Sequence, residues 1–338
     1  MHLGTGQKSI EDVVYFQKAT SSIKVTNTLS VVLHETVLSP YFLTSNNLIN
    51  ILRQTCVGLL IAYGEMILII AGFLDLSVAS VLALTGVLAV DTYRHTQSLA
   101  AALAVAIVVG ILCNLFNAFF VAQFDVPAFI ATLGMQEIAR GIALYYCGGS
   151  NILQLGDFVV LGQGTVGPIP IPVIIVFVIS IIIWYLVNET RWGRSLYAIG
   201  GNRNAAVASG INVKVSIYKA YIINGVMAAF AGVIFMARNN AGLPNGAVGY
   251  EMNGLTAAIV GGTSFTGGIG TVTGTIAGAF IIAFLENIMN LIGIDSYIQQ
   301  IIKGAIIVIA VAFDVTSKGK KSAKVIIADD SDKKKEEK

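Results

Sequence analysis

Apolar residues run along this chain in blocks of about twenty, parted by short polar stretches, and that spacing predicts a bundle of membrane-crossing helices. The blocks at 48–72, 99–122, 127–146, 168–187, 216–237, 276–292 and 297–313 have the length needed to cross roughly 30 Å of hydrocarbon. The run GFLDLSVAS at 72–80 reads as a break that restarts a helix, which continues to residue 90 with Asp75 as its N-cap or first-turn acid. The block 252–260 is apolar but short, and enters the glycine-rich stretch GGTSFTGGIGTVTGT at 261–275. The segment 25–38, VTNTLSVVLHETVL, is shorter still and carries His34 and Glu35.

One polar interruption has the grammar of structure. The stretch 190–213, TRWGRSLYAIGGNRNAAVASGINV, predicts a compact amphipathic turn at 195–199 and a break at Gly200-Gly201. A second short helix over 203–209 follows, capped by Asn202 and stopped by Gly210. Two short helices make a shaped knob, a docking surface rather than a plain solvated loop. Arg191, Arg194, Arg203, Lys214 and Lys219 stand there against Glu189, a bias that places the knob on the cytoplasmic side. The basic tail with Lys318, Lys320, Lys321 and Lys324 belongs on the same side, and four spans between the two return the chain to it. Counting 25–38 as a span gives six before the knob. The expected architecture is therefore an all-α bundle of about ten transmembrane helices with both termini cytoplasmic. Residues 1–24 form a polar tail, 25–314 the membrane domain and 315–338 a charged tail.

Composition agrees. Only 12% of the 338 residues are charged and the mean hydropathy is +0.78, whereas a soluble domain has about a quarter of its residues charged. No basic stripe is interleaved with aromatics, which excludes nucleic acid as a partner. Cys56, Cys113 and Cys147 lack metal spacing. The N-terminus has no long apolar core after its basic residues, so no cleavable signal peptide is expected. No phosphate-binding GxxxxGKS/T run occurs, so the chain is expected neither to hydrolyse ATP nor to be an enzyme, and no catalytic residue, metal or cofactor is assigned to it. The spacing from Gly262 to Gly267 mimics a dinucleotide fingerprint, but no strand is predicted before it. A helix break that lets backbones approach closely is the better reading.

Polar side chains inside the apolar blocks are the candidate chemistry: Glu65, Asp75, Asn114, Asn117, Gln136, Glu137, Arg140, Glu286, Asn287 and Asn290. Such groups face the protein interior or a water path, because an ionisable group at mid-bilayer costs about 2.5–3.5 kcal/mol on insertion scales. Two readings stay open. One is a network that locks helices, with Glu137 paired to Arg140 at i and i+3. The other is a polar lining for a hydroxyl-rich solute, since amides and carboxylates match paired hydroxyls.

The run through Gly193-Arg194, Ala198 to Asn202, Ala205-Ala206 and Ser209 to Ile211 closely resembles the coupling loop of ribose-type sugar ABC permeases. GFLDLSVAS, PAFIATLG with Arg140-Gly141, Gly249-Tyr250-Glu251, GGTS with its later GG, and Gln299-Gln300…Lys303-Gly304…Ala310-Val311…Asp314 follow in that family's order. The family has a clearly apolar first helix where this chain has 25–38. The resemblance implies a multi-pass subunit of the cell membrane that imports a monosaccharide such as ribose or a related pentose. ATP would be hydrolysed by a separate cassette subunit docked on Arg194, Gly200, Gly201, Asn202, Arg203, Ala205, Ala206 and Gly210. It also implies a second permease copy, identical or a close paralogue, and an extracytoplasmic sugar-binding protein, for which Arg238, Asn239, Asn240 and Glu251 are the expected contacts. Thr263 and Ser264 join Glu65, Asp75, Asn114, Asn117, Glu137, Arg140, Glu286, Asn287 and Asn290 as path candidates. Related permeases carry galactosides, autoinducer sugars or nucleosides. A proton-coupled sugar carrier working through Glu65, Asp75 or Glu286 is the alternative from another class.

Overall fold

The computed structural model describes residues 42–336 apart from residue 154, and side chains as far as residue 316. The predicted tail 1–24 and the weak segment 25–38 lie outside the described residues. Within them the chain is almost wholly helical. The long helices are α1 (Ser45–Ile70), α2 (Val78–Thr96), α3 (Leu99–Gln123) and α4 (Ala128–Tyr146), then, past a short α5 (Val160–Gln163), α6 (Ile171–Asn188). The knob is α7 (Arg191–Gly201) and α8 (Arg203–Ala208), followed by α9 (Val213–Asn239), α10 (Tyr250–Val260), α11 (Val272–Leu291) and α12 (Ser296–Glu336). Two antiparallel strand pairs, β1 (Ile152–Leu153) with β4 (Ala241–Gly242) and β2 (Thr165–Val166) with β3 (Ile169–Pro170), tie down loops.

Polar contacts mark two ends of the bundle. At the knob end, Arg203 pairs with Asp125 after α3 at 2.8 Å, Lys214 donates to Gln123 at 2.9 Å, and the Gly268 N–H donates to the Ile70 carbonyl at 2.9 Å. At the far end, Arg53 near the start of α1 donates to the Gln163 carbonyl at 2.7 Å, and Gln163 in turn donates to the Arg238 carbonyl at 2.9 Å. α1, α3, α6, α9, α11 and residues 296–316 of α12 are each long and apolar enough to cross a membrane. The molecule is a multi-pass helical membrane protein.

Burial sorts the spans into shells. α1 and α9 form the centre, 83% and 78% buried over their apolar windows. α3 and α6 form a ring at 22% and 28%, and show lipid-compatible faces with Leu112, Phe116, Phe177 and Ile181 exposed. Contact between the shells depends on glycine. α3 meets α9 where Gly110 and Gly225 face each other, and a Cβ on either would overlap the other's carbonyl oxygen. Gly261 and Gly274 do the same for α10 and α11, and between α2 and α9 a Cβ on Gly86 would crowd the Gly232 carbonyl and one on Gly232 the Leu82 carbonyl.

Several boundaries differ from the sequence reading. α1 begins three residues early because Thr44 caps it, its hydroxyl accepting from Asn47 N–H at 3.3 Å. Asp75 is neither N-cap nor first-turn acid of α2. It sits two residues upstream, where its carboxylate accepts the Ser77 N–H at 2.7 Å. In the knob the helix covers Arg191–Gly201, so Gly200-Gly201 end it rather than break it, and the interruption falls on Asn202. The second knob helix is capped as expected, Asn202 Oδ1 accepting from Ala205 N–H at 3.0 Å. Gly210 at φ +81° closes it, with Gly210 N–H bonding Val207 O and Ile211 N–H bonding Ala206 O.

Gly225→Val is expected to force α3 from α9 and destabilise the bundle by about 1–3 kcal/mol. A thermal melt in detergent checks it: an unshifted Tm would mean that α3 and α9 do not meet at this point.

Candidate functional site

The knob is seated on the bundle by backbone. Gly193, Leu196 and Ile199 are buried beneath α7, and a Cβ at Gly200 would overlap the Ile70 carbonyl and approach the Gly268 nitrogen to 2.6 Å. Gly267 and Gly268, at φ +83° and +76°, lie against Gly200 and Gly201. The Tyr197 hydroxyl donates to the Gly270 carbonyl at 2.8 Å, and burial raises its pKa, which keeps the proton on that donor. The knob, the end of α1 and the loop 261–271 thus form one junction. The opposite side of the knob is open. Arg194, Gly201, Asn202, Arg203, Ala205 and Gly210 are exposed, as is Val207, while Ala206 is buried and Gly200 half-buried. A Cβ on Gly201 would meet open space.

Just inside this junction the chain between α1 and α2 turns back into the bundle. Ala71 ends α1, Gly72 at φ +84° reverses the backbone, and the Asp75 N–H reaches the Glu65 carboxylate at 3.4 Å. The structure brings Glu65, Asp75, Asn114 and Asn117 together. The Asn224 amide donates to Asp75 at 2.6 Å and to Asn114 at 3.2 Å, Asn117 donates to the Ser77 hydroxyl at 3.1 Å, and that hydroxyl donates to Asp75. All six side chains are at most 1% exposed. They join α1, α2, α3 and α9 across the centre. Ser77 and Asn224 were missed from sequence because one reads as a helix-start serine and the other is a lone amide in an apolar block.

A second cluster lies toward the far end, between α1, α10, α11 and α12. Glu286 receives Gln54 at 2.8 Å, Asn253 at 2.8 Å and Lys303 at 3.0 Å. The cavity beside it, lined by Gln54, Thr55, Tyr250 and Asn253, has about 20 Å³, room for roughly one water. Asn287 exchanges amide hydrogen bonds with Asn47 at 2.9 Å each way, and Gln299 donates to Asn290 at 2.9 Å. Gln54, Asn253 and Lys303 were not among the path candidates read from the sequence.

The remaining candidates stand apart. Glu137 and Arg140 do not pair: Glu137 is exposed, and Arg140 donates to the carbonyls of Pro244 and Gly246 at 2.9 and 2.8 Å. These acceptors lie in the loop after β4, toward which the Arg140 side chain is turned. Thr263 is buried with no protein partner for its hydroxyl, and Ser264 binds Asp314. At the far end Asn239 and Asn240 are exposed, whereas Arg238 and Glu251 are half-buried. The three cysteines are free, Cys56 buried and the others partly so.

The described residues form a multi-pass helical bundle with an external knob, and the sequence comparisons place it in a family. Residues 47–311 match the family model for the permease component of branched-chain amino acid transport systems. The chain is 40% identical over 282 residues to the ribose import permease protein RbsC of Escherichia coli K12, covering 82% of this chain and 88% of that one. It is 38% identical over 280 residues to the D-allose transport system permease protein AlsC of the same organism, covering 82% and 86%, and 37% identical over 295 to its galactose/methyl galactoside import permease protein MglC, covering 81% and 88%. The chain belongs to this permease family, and the resemblance to ribose-type sugar permeases holds along most of its length. No solved structure matches it.

Asn224→Leu strips Asp75 and Asn114 of a donor in a dry interior and is expected to cost about 1–3 kcal/mol. Asn290→Leu, on an exposed position, is expected to move stability by less than about 0.5 kcal/mol. Equal melting temperatures for the two variants would contradict the central network.

Proposed function

We propose that this chain is the membrane subunit of an ABC importer that moves a monosaccharide inward, with its knob receiving a separate ATP-hydrolysing subunit. The observation that carries this is the two-sided knob. One face is bonded to the bundle through backbone, and the other presents Arg194, Asn202, Arg203 and Val207 to a partner. Relatives named for ribose, allose and galactose support a monosaccharide as cargo. The basic knob supports a cytoplasmic position for that end and, with 25–38 as a tenth span, for both termini.

Partners follow from the same reading. A second copy of the permease completes the pathway, and a sugar-binding protein meets the far end, where Asn239 and Asn240 are open to contact and Arg238 and Glu251 brace the loop. The chain uses no cofactor, and ATP is consumed in the partner subunit. Among the path candidates, Glu65, Asp75, Asn114 and Asn117 serve the bundle, because their hydrogen bonds are turned inward and none is open to solvent. The cavity beside Glu286 is too small for a sugar, which needs well over 100 Å³ on the scale of ligand sites of about 300–1,000 Å³. Cargo therefore meets this cluster only after α10 or α12 moves.

The test is reconstitution of this chain in liposomes with its cassette ATPase and binding protein, supplied with labelled pentoses and hexoses. ATP-dependent and binding-protein-dependent accumulation of one sugar is expected. Gly201→Trp is expected to leave a folded bundle, since that position faces open space, yet lower ATP-driven uptake by about tenfold or more. Uptake by this chain alone under a pH gradient would overturn the reading.

A further inference from the structure

The last span meets the bundle along one half-buried stripe and is tied to it by polar contacts. None of the 296–316 window of α12 is fully buried, and Ile301, Val308, Ile309 and Phe313 are 68–75% exposed. Ile302, Ile306, Ile307, Ala310 and Val311 are half-buried, with Ala310 and Val311 packed against the core. At the far end Gln299 bonds Asn290 and the Ile294 carbonyl, at 2.9 and 2.8 Å, and Lys303 pairs with Glu286 at 3.0 Å. At the knob end, among the described side chains, Asp314 makes the tie. Asp314 Oδ2 accepts the Ser264 hydroxyl at 2.7 Å and the Phe265 N–H at 3.1 Å.

Ser264 and Phe265 belong to the loop on which the knob rests. That loop is internally braced: Ser264 N–H donates to Ile269 O, Gly267 N–H to Ser264 O, and the hydroxyls of Ser264 and Thr266 stand 3.1 Å apart. A few residues on, Gly268 donates to Ile70 and Gly270 accepts from Tyr197 of α7. A continuous chain of hydrogen bonds and backbone contacts therefore runs from the knob through the loop to the carboxylate of Asp314. From Gln299 to Asp314 the helix is roughly 22 Å long at 1.5 Å per residue. Its other polar ties sit at the opposite end.

We propose that Asp314 is a positioning residue that couples the knob to α12, so that movement of the knob swings the last span about its far-end ties at Asn290 and Glu286. This inference rests on the knob's being the ATPase-receiving surface. It adds a transmission route beside the covalently connected helices α6 and α9. The carboxylate suits the role. A hydrogen bond to a carboxylate is about twice as strong as one between neutral groups, and this one holds two donors. Movement of the loop therefore carries the end of α12 along with it.

The experiment uses the complete transporter in liposomes and reads sugar imported per ATP hydrolysed, with binding of the ATPase subunit measured separately. Asp314→Leu is expected to keep ATPase binding and ATP hydrolysis within about twofold while uptake falls about tenfold, and Asp314→Asn, which retains an acceptor oxygen, to recover much of it. Wild-type coupling in Asp314→Leu would overturn the inference. Should Asp314→Leu not yield folded protein, Ser264→Ala removes one of the two donors and is expected to lower the coupling ratio without loss of ATPase binding; an unchanged ratio would overturn the proposal. A cysteine pair at 264 and 314, in a background lacking Cys56, Cys113 and Cys147, supplies the converse test. Transport retained after cross-linking supports loop and helix moving as one body, and transport abolished by the cross-link and restored by reduction overturns it. An ATPase subunit that fails to bind the wild-type chain would instead defeat the proposed function itself.

Discussion

The hydrogen bond from Gly268 N–H to the Ile70 carbonyl is the point on which the structure turns. α1 is the central helix, and its last carbonyls have no partners within the helix. Leu68 and Ile69 are served locally, by Phe73 and Gly72 as the chain reverses at φ +84°. Ile70 is served by the glycine loop. A backbone group left unpaired inside a membrane protein costs several kcal/mol, so this end of α1 requires that loop. The loop in turn exists in this shape because α10 ends in the same reversal, with Gly262 at φ +88° and Thr263 N–H returning to Ala258 O. The knob then covers both through Gly200, the position where any side chain would push the three parts apart. Central helix, loop and knob are thereby one object, and a force on the knob reaches the axis of the bundle without passing through a flexible segment.

Much of this was legible in the sequence. The spans follow from apolar block length, and the knob from Asn202 and Gly210, whose capping chemistry is local. The glycine-rich stretch 261–275 was recognisable as a helix break because glycine at that density has few other uses in a membrane. What the sequence withheld was tertiary. Gly200 and Gly201 read as a break because glycine is a poor helix former, yet Gly200 permits the approach of Ile70 and Gly268, a contact across more than sixty residues of chain. Asp75 read as a cap because an acid before a helix is that by default. Its second oxygen reaches Asn224, about 150 residues away, and no local pattern carries that. Arg140 was matched to Glu137 by spacing, and its partners are carbonyls in a distant loop, which no local pattern carries.

Polar groups in this bundle divide according to what they hold. The network around Asp75 joins α1, α2, α3 and α9, and separating any of them would strand a buried carboxylate or amide. Those helices are bound to move together. The ties of α12 are of another kind. They lie at the two ends of its 296–316 span, they connect to α11 and to the glycine loop, and the stripe between them is only half-buried within this chain. A transporter needs a body that keeps its shape and at least one element that does not, and the distribution of buried polar contacts separates the two: α1, α2, α3 and α9 form the body, and α12, held at its ends, is the element free to swing.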